Sequence, residues 1–363
     1  MGLRPSPFSA PHSMHILYLS RVRQNPYVNL LARGVHQADT TLRPMHTPTL
    51  SWPRLLDWRW RILHLHWVEL QYAYGATSHQ QAQKALNTLL RQLSFLQKTG
   101  RKLVYTVHNI NQHEGQHPDL NQRANDWLFA HADAIHAHNR AAAQQVQQRY
   151  GREEMVFTIP HGNYVGVYPN DISRAQARDQ LGIPQNHFVY LYLGQMRPYK
   201  GLDALIAAFR ATAQADASLI LAGRVATESC QEHLQAQIAQ HPHIHLIPRF
   251  VPDAHIQRYC NAADICVLPY RDATTSGAAL LAFSFARPII APALGPFPEL
   301  VGNNARGILF DPQQQDLTQA LVQAREADLP QLSRAAHNLA QSRNWLTIGQ
   351  QHAQVYRQLL TGM

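Results

Sequence analysis

The amino-acid sequence predicts an α/β protein of two doubly wound, Rossmann-like domains, each a parallel sheet covered by helices, with a cleft between them. Three observations predict this. Short apolar runs of strand length alternate with amphipathic helical patterns through both halves of the chain, as in parallel sheets buried on both faces. The length of 363 residues exceeds one ordinary domain, and a hydrophobic content of 45% supplies two cores. No internal repeat of solenoid period is present, which favours two doubly wound units over a repeat array.

In order, Met14 to Ser20 reads as a first buried strand, Tyr27 to Gln37 as a helix, Ile62 to Trp67 as a strand, Gln80 to Gln97 as a long helix and Lys102 to Val107 as a strand. Leu120 to His131 is helical, Asp133 to His138 is a strand, and Asn139, a good N-cap, opens a helix that runs to Tyr150. A strand at Met155 to Thr158 leads into Ile159-Pro160-His161-Gly162-Asn163-Tyr164 and a proline-containing hinge ending at Asn170, so the first domain is set at residues 1–165 and the second at 166–344. The second half repeats the alternation, with strands at Phe188 to Leu193, Leu219 to Ala222, Ile244 to Ile247, Ile265 to Pro269, Ile289 to Ala291 and Gly307 to Phe310. An amphipathic helix from Trp345 to Leu360 closes the pattern.

A formal charge of +9 and an isoelectric point near 9.6 call for a polyanionic partner: nucleic acid, an anionic membrane or phosphorylated substrates. No nucleic-acid motif is present and the basic residues spread over both halves, which argues against a nucleic-acid module. Cys230, Cys260 and Cys266 have neither paired nor metal-ligand spacing, and the 22 histidines are mostly scattered through Gln-rich helices, so neither a disulfide framework nor a metal site is expected. The compartment reads as the cytoplasm. No apolar run approaches the ~20 residues of a membrane span, and Met1 to Ser13 lacks a signal-peptide core. One stretch does suit a membrane surface. Trp52-Pro53-Arg54-Leu55-Leu56-Asp57-Trp58-Arg59-Trp60-Arg61 interleaves tryptophans with arginines, which place indoles at headgroup level and guanidinium groups on lipid phosphates. The same mixture also suits a hydrophobic anchor under a loop or a base-stacking groove.

The chemistry collects at strand ends. Tyr190-Leu191-Tyr192-Leu193 is followed by Gly194-Gln195-Met196-Arg197-Pro198-Tyr199-Lys200-Gly201 and then by the helical pattern Leu202, Leu205, Ile206, Phe209. Gly194 lets the backbone turn off the strand, the helix start offers bare amides and a positive dipole end, and Arg197 and Lys200 add two charges, which together suit a diphosphate. Tyr270-Arg271-Asp272-Ala273-Thr274-Thr275-Ser276-Gly277 precedes a second helix, Ala278 to Phe285; Thr275 or Ser276 caps it while Gly277 and its neighbours present amides to an anion. In the first half, the Ile62 strand runs out into the polar loop His64-Leu65-His66-Trp67-Val68-Glu69, His108 and Asn109 follow another strand, and His113 and Glu114 come shortly after, so imidazoles and carboxylates from separate loops line one sheet edge. Glu69 and Glu114 are the candidate bases.

Gly194-x-x-Arg197-x-x-Lys200-Gly201 ahead of an amphipathic helix resembles the donor-phosphate loop of GT-B glycosyltransferases, particularly family 4 and its relatives, in which the arginine and lysine hold the diphosphate of a nucleotide sugar. Thr106-Val107-His108-Asn109 is similar to the family's first-domain histidine that faces the donor sugar, and Pro160-His161-Gly162 to its interdomain motif. Ala222-Gly223-Arg224 and Arg249-Phe250-Val251-Pro252-Asp253 resemble two further strand-end loops, the latter touching the nucleotide base, and Pro298-Glu299-Leu300-Val301 resembles a Pro-Glu motif. The resemblance implies a nucleotide-sugar donor held by Gly194, Arg197, Lys200, Arg224, Phe250, Val251, Thr275, Ser276, Gly277 and Glu299, with His108 catalytic beside Glu69 or Glu114. His66 and Trp67, which flank Glu69, are expected to position an acceptor hydroxyl against it, and His161 is expected at the acceptor with them; the resemblance also implies that the final helix, 345–363, packs back on the first domain.

One departure matters. Family 4 carries a Glu-x7-Glu pattern whose two positions are Ala273 and Leu281 here. With its Thr-Ser-Gly, His-Gly-x-Tyr and His-Leu-His-Trp segments, the chain is similar instead to the xanthan-type β-mannosyltransferase branch, which inverts. The expectation is a hexosyltransferase working from GDP-mannose or a UDP-sugar onto a glycan or lipid-linked acceptor in polysaccharide biosynthesis. It would use neither metal nor any cofactor beyond the nucleotide sugar, and would act in the cytoplasm or at the inner face of the cell membrane. A retaining enzyme and a non-catalytic sugar-nucleotide-binding protein are the alternatives.

Overall fold

The computed structural model describes residues 13–110, 117–239, 241–314 and 316–361. The chain folds as two units, Met1–Pro160 with Trp345–Met363, and His161–Asn344. The division falls at Pro160 rather than at residue 165, because the backbone amide of Asn163 donates to the Arg343 carbonyl (2.9 Å) and its side chain to the Ala340 carbonyl (2.6 Å). The His161–Tyr164 segment is thereby held by the second unit, and the boundary read from sequence is corrected accordingly.

The first unit runs β1 (Met14–Leu19), α1 (Tyr27–Ala38), β2 (Leu42–Thr47), α2 (Trp52–Leu56), β3 (Trp60–Leu65), α3 (Glu69–Ala73), α4 (His79–Lys98), β4 (Lys102–Val107), α5 (Pro118–His131), β5 (Ala134–Ala137), α6 (Arg140–Tyr150) and β6 (Val156–Thr158). Its sheet is parallel, in the order β2-β1-β3-β4-β5-β6. The second unit runs α7 (Arg174–Leu181), β7 (Phe188–Leu193), α8 (Leu202–Ala211), β8 (Ala217–Ala222), α9 (Glu228–Ile238), β9 (Ile244–Ile247), α10 (Ile256–Ala262), β10 (Ile265–Val267), α11 (Gly277–Ser284), β11 (Ile289–Pro292), α12 (Phe297–Val301), β12 (Gly307–Phe310), α13 (Leu317–Glu326) and α14 (Leu329–Ser342). Its sheet is also parallel, in the order β12-β11-β10-β7-β8-β9. The last helix, α15 (Trp345–Thr361), packs on α1 in the first unit.

Strand β2 escapes sequence reading because Pro44 sits inside it; at the sheet edge the missing amide costs no ladder bond. Within β1 the side chains alternate, Leu17 and Leu19 joining the core under α4 and α5, Ile16 and Tyr18 the core under α1 and α15. The α1–α15 crossing is closed backbone to backbone. A side chain at Gly34 would meet the Trp345 carbonyl oxygen at 2.1 Å, and one at Gly349 would meet the Gly34 carbonyl carbon at 2.1 Å. Gly349→Ala is therefore expected to force the helices apart and cost about 1–3 kcal/mol. The check is the urea midpoint of the variant; a midpoint equal to the parent's would mean the helices do not meet this closely.

The sheet face under α15 is built of histidines. His64 on β3, Thr106 on β4 and His136 on β5 project from it, one from each of three neighbouring strands, while His352 and Tyr356 descend from α15 at i, i+4. His64 Nδ1 meets the Tyr356 hydroxyl at 2.6 Å and its Nε2 meets Thr106 Oγ1 at 2.6 Å. His136 Nδ1 lies 3.0 Å from Thr106 Oγ1 and 3.1 Å from His352 Nε2. Burial, reinforced by neighbouring imidazoles, holds His64 and His136 well below the ordinary histidine range, and burial takes His352 down to about 4. These residues are neutral at pH 7. His64, read from sequence as the start of a polar loop, is a strand residue in a buried polar layer.

The Trp52–Arg61 stretch divides in two. Trp52, Leu56 and Trp58 are 68%, 67% and 80% exposed. Trp60 is not part of that surface: it is fully buried in β3, its Nε1 donates to the Arg54 carbonyl (3.0 Å), and the Arg101 guanidinium lies 4.6 Å over its ring. Arg59 is paired with Asp57 at 2.8 Å. The segment is thus both an anchor and an exposed aromatic edge.

Candidate active site

The order of the second sheet reverses between β7 and β10, and in doubly wound sheets ligands bind at the carboxyl ends of the strands flanking that point. Both phosphate-type loops leave from there. The Gly194–Gly201 loop follows β7 and the Tyr270–Gly277 loop follows β10. They touch through backbone: the Arg271 amide donates to the Tyr199 carbonyl (3.0 Å), and a side chain at Gly201, where φ is +72°, would stand 2.0 Å from the Pro269 carbonyl oxygen. Only glycine fits that position. Gly201 in turn precedes the first turn of α8, so the same contact that joins the loops sets the direction of the helix start.

Lys200 is half-buried, with Nζ 3.5 Å from the centroid of the Tyr270 ring and 4.7 Å from that of Tyr199. Two aromatic faces hold the ammonium at the loop junction. Arg197 is exposed at the tip of its loop. Arg224, also exposed, follows β8, and its carbonyl accepts from the Met196 amide (2.8 Å), which places the β8 loop beside the Arg197 loop. Phe250 is half exposed and Val251 buried at the end of β9, the strand at the sheet edge, two positions from β7.

Of the two cap candidates for α11, Ser276 takes the role: its Oγ accepts from the Ala279 amide (3.2 Å), and Thr275 stands one residue outside. The amides of Gly277 and Ala278 then have no intrahelical acceptor. His161 lies against this helix start. A side chain at Gly277 would be 3.2 Å from the Tyr164 hydroxyl and 3.6 Å from His161 Nε2. His161 is buried in the second unit, its Nδ1 meets the Gly162 carbonyl at 2.7 Å, and burial lowers its pKa to about 4, so it is a neutral imidazole. The sequence reading puts it on the acceptor side; in the structure it lies in the second unit beside the start of α11. Arg343, which nothing in its surroundings in sequence singled out, faces the same region, repelling a charge on His161 and lying 3.5 Å from a carboxylate oxygen of Glu299.

In the first unit the order reverses between β1 and β3. Glu69 opens α3 just past β3, and burial pushes its carboxyl up to about 7 against the hydrogen bonds from its own backbone amide and from the Asn109 side chain. Glu69 and the His108-Asn109 turn, read from separate strand ends, therefore do meet. Burial first, and then the Glu69 charge, push the phenols of Tyr72 and Tyr105 up. His108 is buried, stacked on Trp67 at 3.7 Å, and its Nε2 lies 3.1 Å from His66 Nδ1. Trp67 adopts φ +45°, a conformation costly for an aromatic residue, which the stack onto His108 accompanies. His66 has no exposed surface. The sequence reading gives it to the acceptor; in the structure it follows β3, buried, with its Nδ1 on His108. Glu114 and His113 lie outside the described residues. Among the described residues there is no group of three metal-ligating side chains.

Residues 187–326 match the family model of glycosyl transferases group 1. Over 304 residues, 83% of this chain and 81% of the relative, the chain is 28% identical to the GDP-mannose:glycolipid 4-beta-D-mannosyltransferase of Xanthomonas campestris pv. campestris. Among solved structures, a sucrose-phosphate synthase from Thermosynechococcus elongatus superposes with a TM-score of 0.74 at 18% identity, covering 97% of this chain and 100% of that one. HepE of Anabaena, in complex with UDP-glucose, gives a TM-score of 0.70 at 18% identity over 96% and 100% of the two chains. At such identity the structural matches establish the fold. With the family match and the similarity to the mannosyltransferase, they make the chain a glycosyltransferase of GT-B fold whose residues 187–326 are a glycosyl transferases group 1 domain.

Proposed function

We propose that the chain moves a mannosyl group from GDP-mannose to a lipid-linked glycan with inversion, without a metal ion, while associated peripherally with an anionic membrane. The observation that carries the donor half is the meeting of the β7 and β10 loops at the reversal of the second sheet, which gathers Lys200, Arg197 and two helix starts around one place for a diphosphate. Those charges and amides would stabilise the departing nucleoside diphosphate, the work a divalent ion does elsewhere. The acceptor half and the choice of sugar are supported by the name of the 28% identical relative. Inversion is supported by Ala273 and Leu281, which leave the second unit without the acid pair of retaining relatives, and by a carboxylate, Glu69, whose pKa of about 7 suits a general base. Membrane association is supported by exposed Trp52, Leu56 and Trp58; no helix of the described residues is long and apolar enough to cross a membrane.

The test is calorimetric titration in EDTA with GDP, UDP and their sugars. GDP-mannose is expected to bind best. Lys200→Ala and Arg197→Ala are each expected to weaken GDP binding by about 10- to 100-fold, the loss of one charge-assisted contact. Preference for UDP would overturn the choice of donor, parental affinity in both variants would move the phosphate site elsewhere, and loss of binding in EDTA would return a metal to it.

A further inference from the structure

A groove of about 580 Å³ lies between α4 and α5, on the outer side of the first unit and apart from the strand-end loops. Three cations line it, Arg91 and Lys98 from α4 and Arg123 from α5, together with Phe95 and Trp127. Arg91, Phe95 and Lys98 follow one another at i, i+4 and i+7, so they form one ridge along the helix. Helix α4 carries no acidic residue between His79 and Lys98, and among the described residues no carboxylate pairs with Arg91, Lys98 or Arg123. The floor is fixed: the Trp127 ring stacks on His131 at 4.6 Å. Phe95 is 39% exposed, which water disfavours and an acyl chain or glycerol backbone does not.

The exposed aromatic edge lies along the same helix. Gln92, one residue round α4 from Arg91, donates from Nε2 to the Leu50 carbonyl (3.4 Å), and the Arg101 guanidinium donates to the Asp57 carbonyl (3.1 Å). These bonds fasten the Leu50–Asp57 segment, with Trp52 and Leu56, beside the C-terminal half of α4, and Trp58 follows directly. Apolar side chains that could enter a bilayer interface are thus held along the same helix that forms one wall of the cationic groove. A soluble phosphate would satisfy the cations and leave Phe95 and Trp127 in water; a lipid satisfies both.

We propose that the α4–α5 groove binds the phosphate headgroup of an anionic membrane lipid while Trp52, Leu56 and Trp58 enter the interface beside it. This rests on the membrane reading above and adds a specific lipid site to it. The experiment is cosedimentation of the full chain with phosphatidylcholine vesicles, with and without phosphatidylglycerol. Parent protein sediments with the anionic vesicles. The triple variant Arg91→Gln, Lys98→Gln, Arg123→Gln loses roughly fivefold in partition per cation, about 100-fold in all, with unchanged turnover on a short soluble acceptor. A control triple in the second unit, Arg210→Gln, Arg258→Gln, Arg334→Gln, matches the change in net charge and loses far less. If the groove triple binds as well as this control, the groove is not a lipid site, and the membrane reading then stands on loss of binding in Trp52→Ser with Trp58→Ser. If parent does not sediment, or those tryptophan variants sediment as parent does, both fall together.

Discussion

Replacing Glu69 by Gln is expected to lower turnover by about 10²–10⁴-fold with donor affinity nearly unchanged, the signature of a lost general base. Burial pushes the Glu69 carboxyl up to about 7, so in the parent kcat/KM should rise with pH through that value as the carboxylate forms, and the Gln variant should lose this limb. Stability supplies an independent reading with its own sign. The folded pKa lies above the unfolded value, so the unfolded state gives up its proton first, and stability declines as pH rises from about 4.5 to about 7. Gln removes this decline. The variant should therefore be the more stable protein at pH 8, by at most about 3 kcal/mol and by less in so far as solvent reaches the half-buried carboxylate. A slow variant that is also more stable marks a residue kept for chemistry at a cost to folding. Full activity of Glu69→Gln would remove it as the base. NMR of the product decides the stereochemistry separately, since an α-glycoside from an α-linked donor would refute inversion whatever Glu69 does.

Acidification is expected to unfold the first unit over a narrow pH range, with uptake of about four protons. His64, His66 and His136 are held well below the ordinary range by burial and by each other's imidazoles, and His352 is taken by burial to about 4. Each is neutral when folded and titrates near 6.5 when unfolded. Their contribution is complete above about pH 6.5 and is lost as pH falls toward the folded values, at ~1.4 kcal/mol per pH unit for each. Four together remove ~5 kcal/mol per unit, so a typical stability of 5–15 kcal/mol is exhausted within about one to three units. Circular dichroism against pH gives the midpoint, and denaturant midpoints at several pH values give the linkage slope. A slope of one proton between pH 6 and pH 5 would show that the histidine layer is not neutral and closed as the structure has it. His352→Gln should flatten the slope by one proton, because the amide has nothing to titrate.

The alternation of apolar runs and helices determined, without coordinates, that there would be two parallel-sheet units; strands such as Lys102–Val107, Phe188–Leu193 and Ile289–Pro292 lie inside their sheets and are almost wholly buried, so their pattern is local. The phosphate-type loops were legible for the same reason: a strand, a glycine turn, cations and a capped helix are neighbours in sequence. What was not legible depends on what lies opposite. His64 and His66 look like loop residues until α15, nearly 300 residues on, supplies Tyr356 to His64 at 2.6 Å and closes the layer, because a buried polar side chain is tolerated only where a distant partner satisfies it. Trp60 reads as part of an exposed aromatic patch until the Arg54 carbonyl and the Arg101 guanidinium take it into the core. The inward turn of His66, the seating of His161 against α11 and the meeting of Lys200 with Tyr270 are likewise settled by contacts between segments far apart in the chain. Sequence periodicity reports which face of an element is apolar; only tertiary packing supplies the second partner of a polar contact, and these side chains take their positions from that partner.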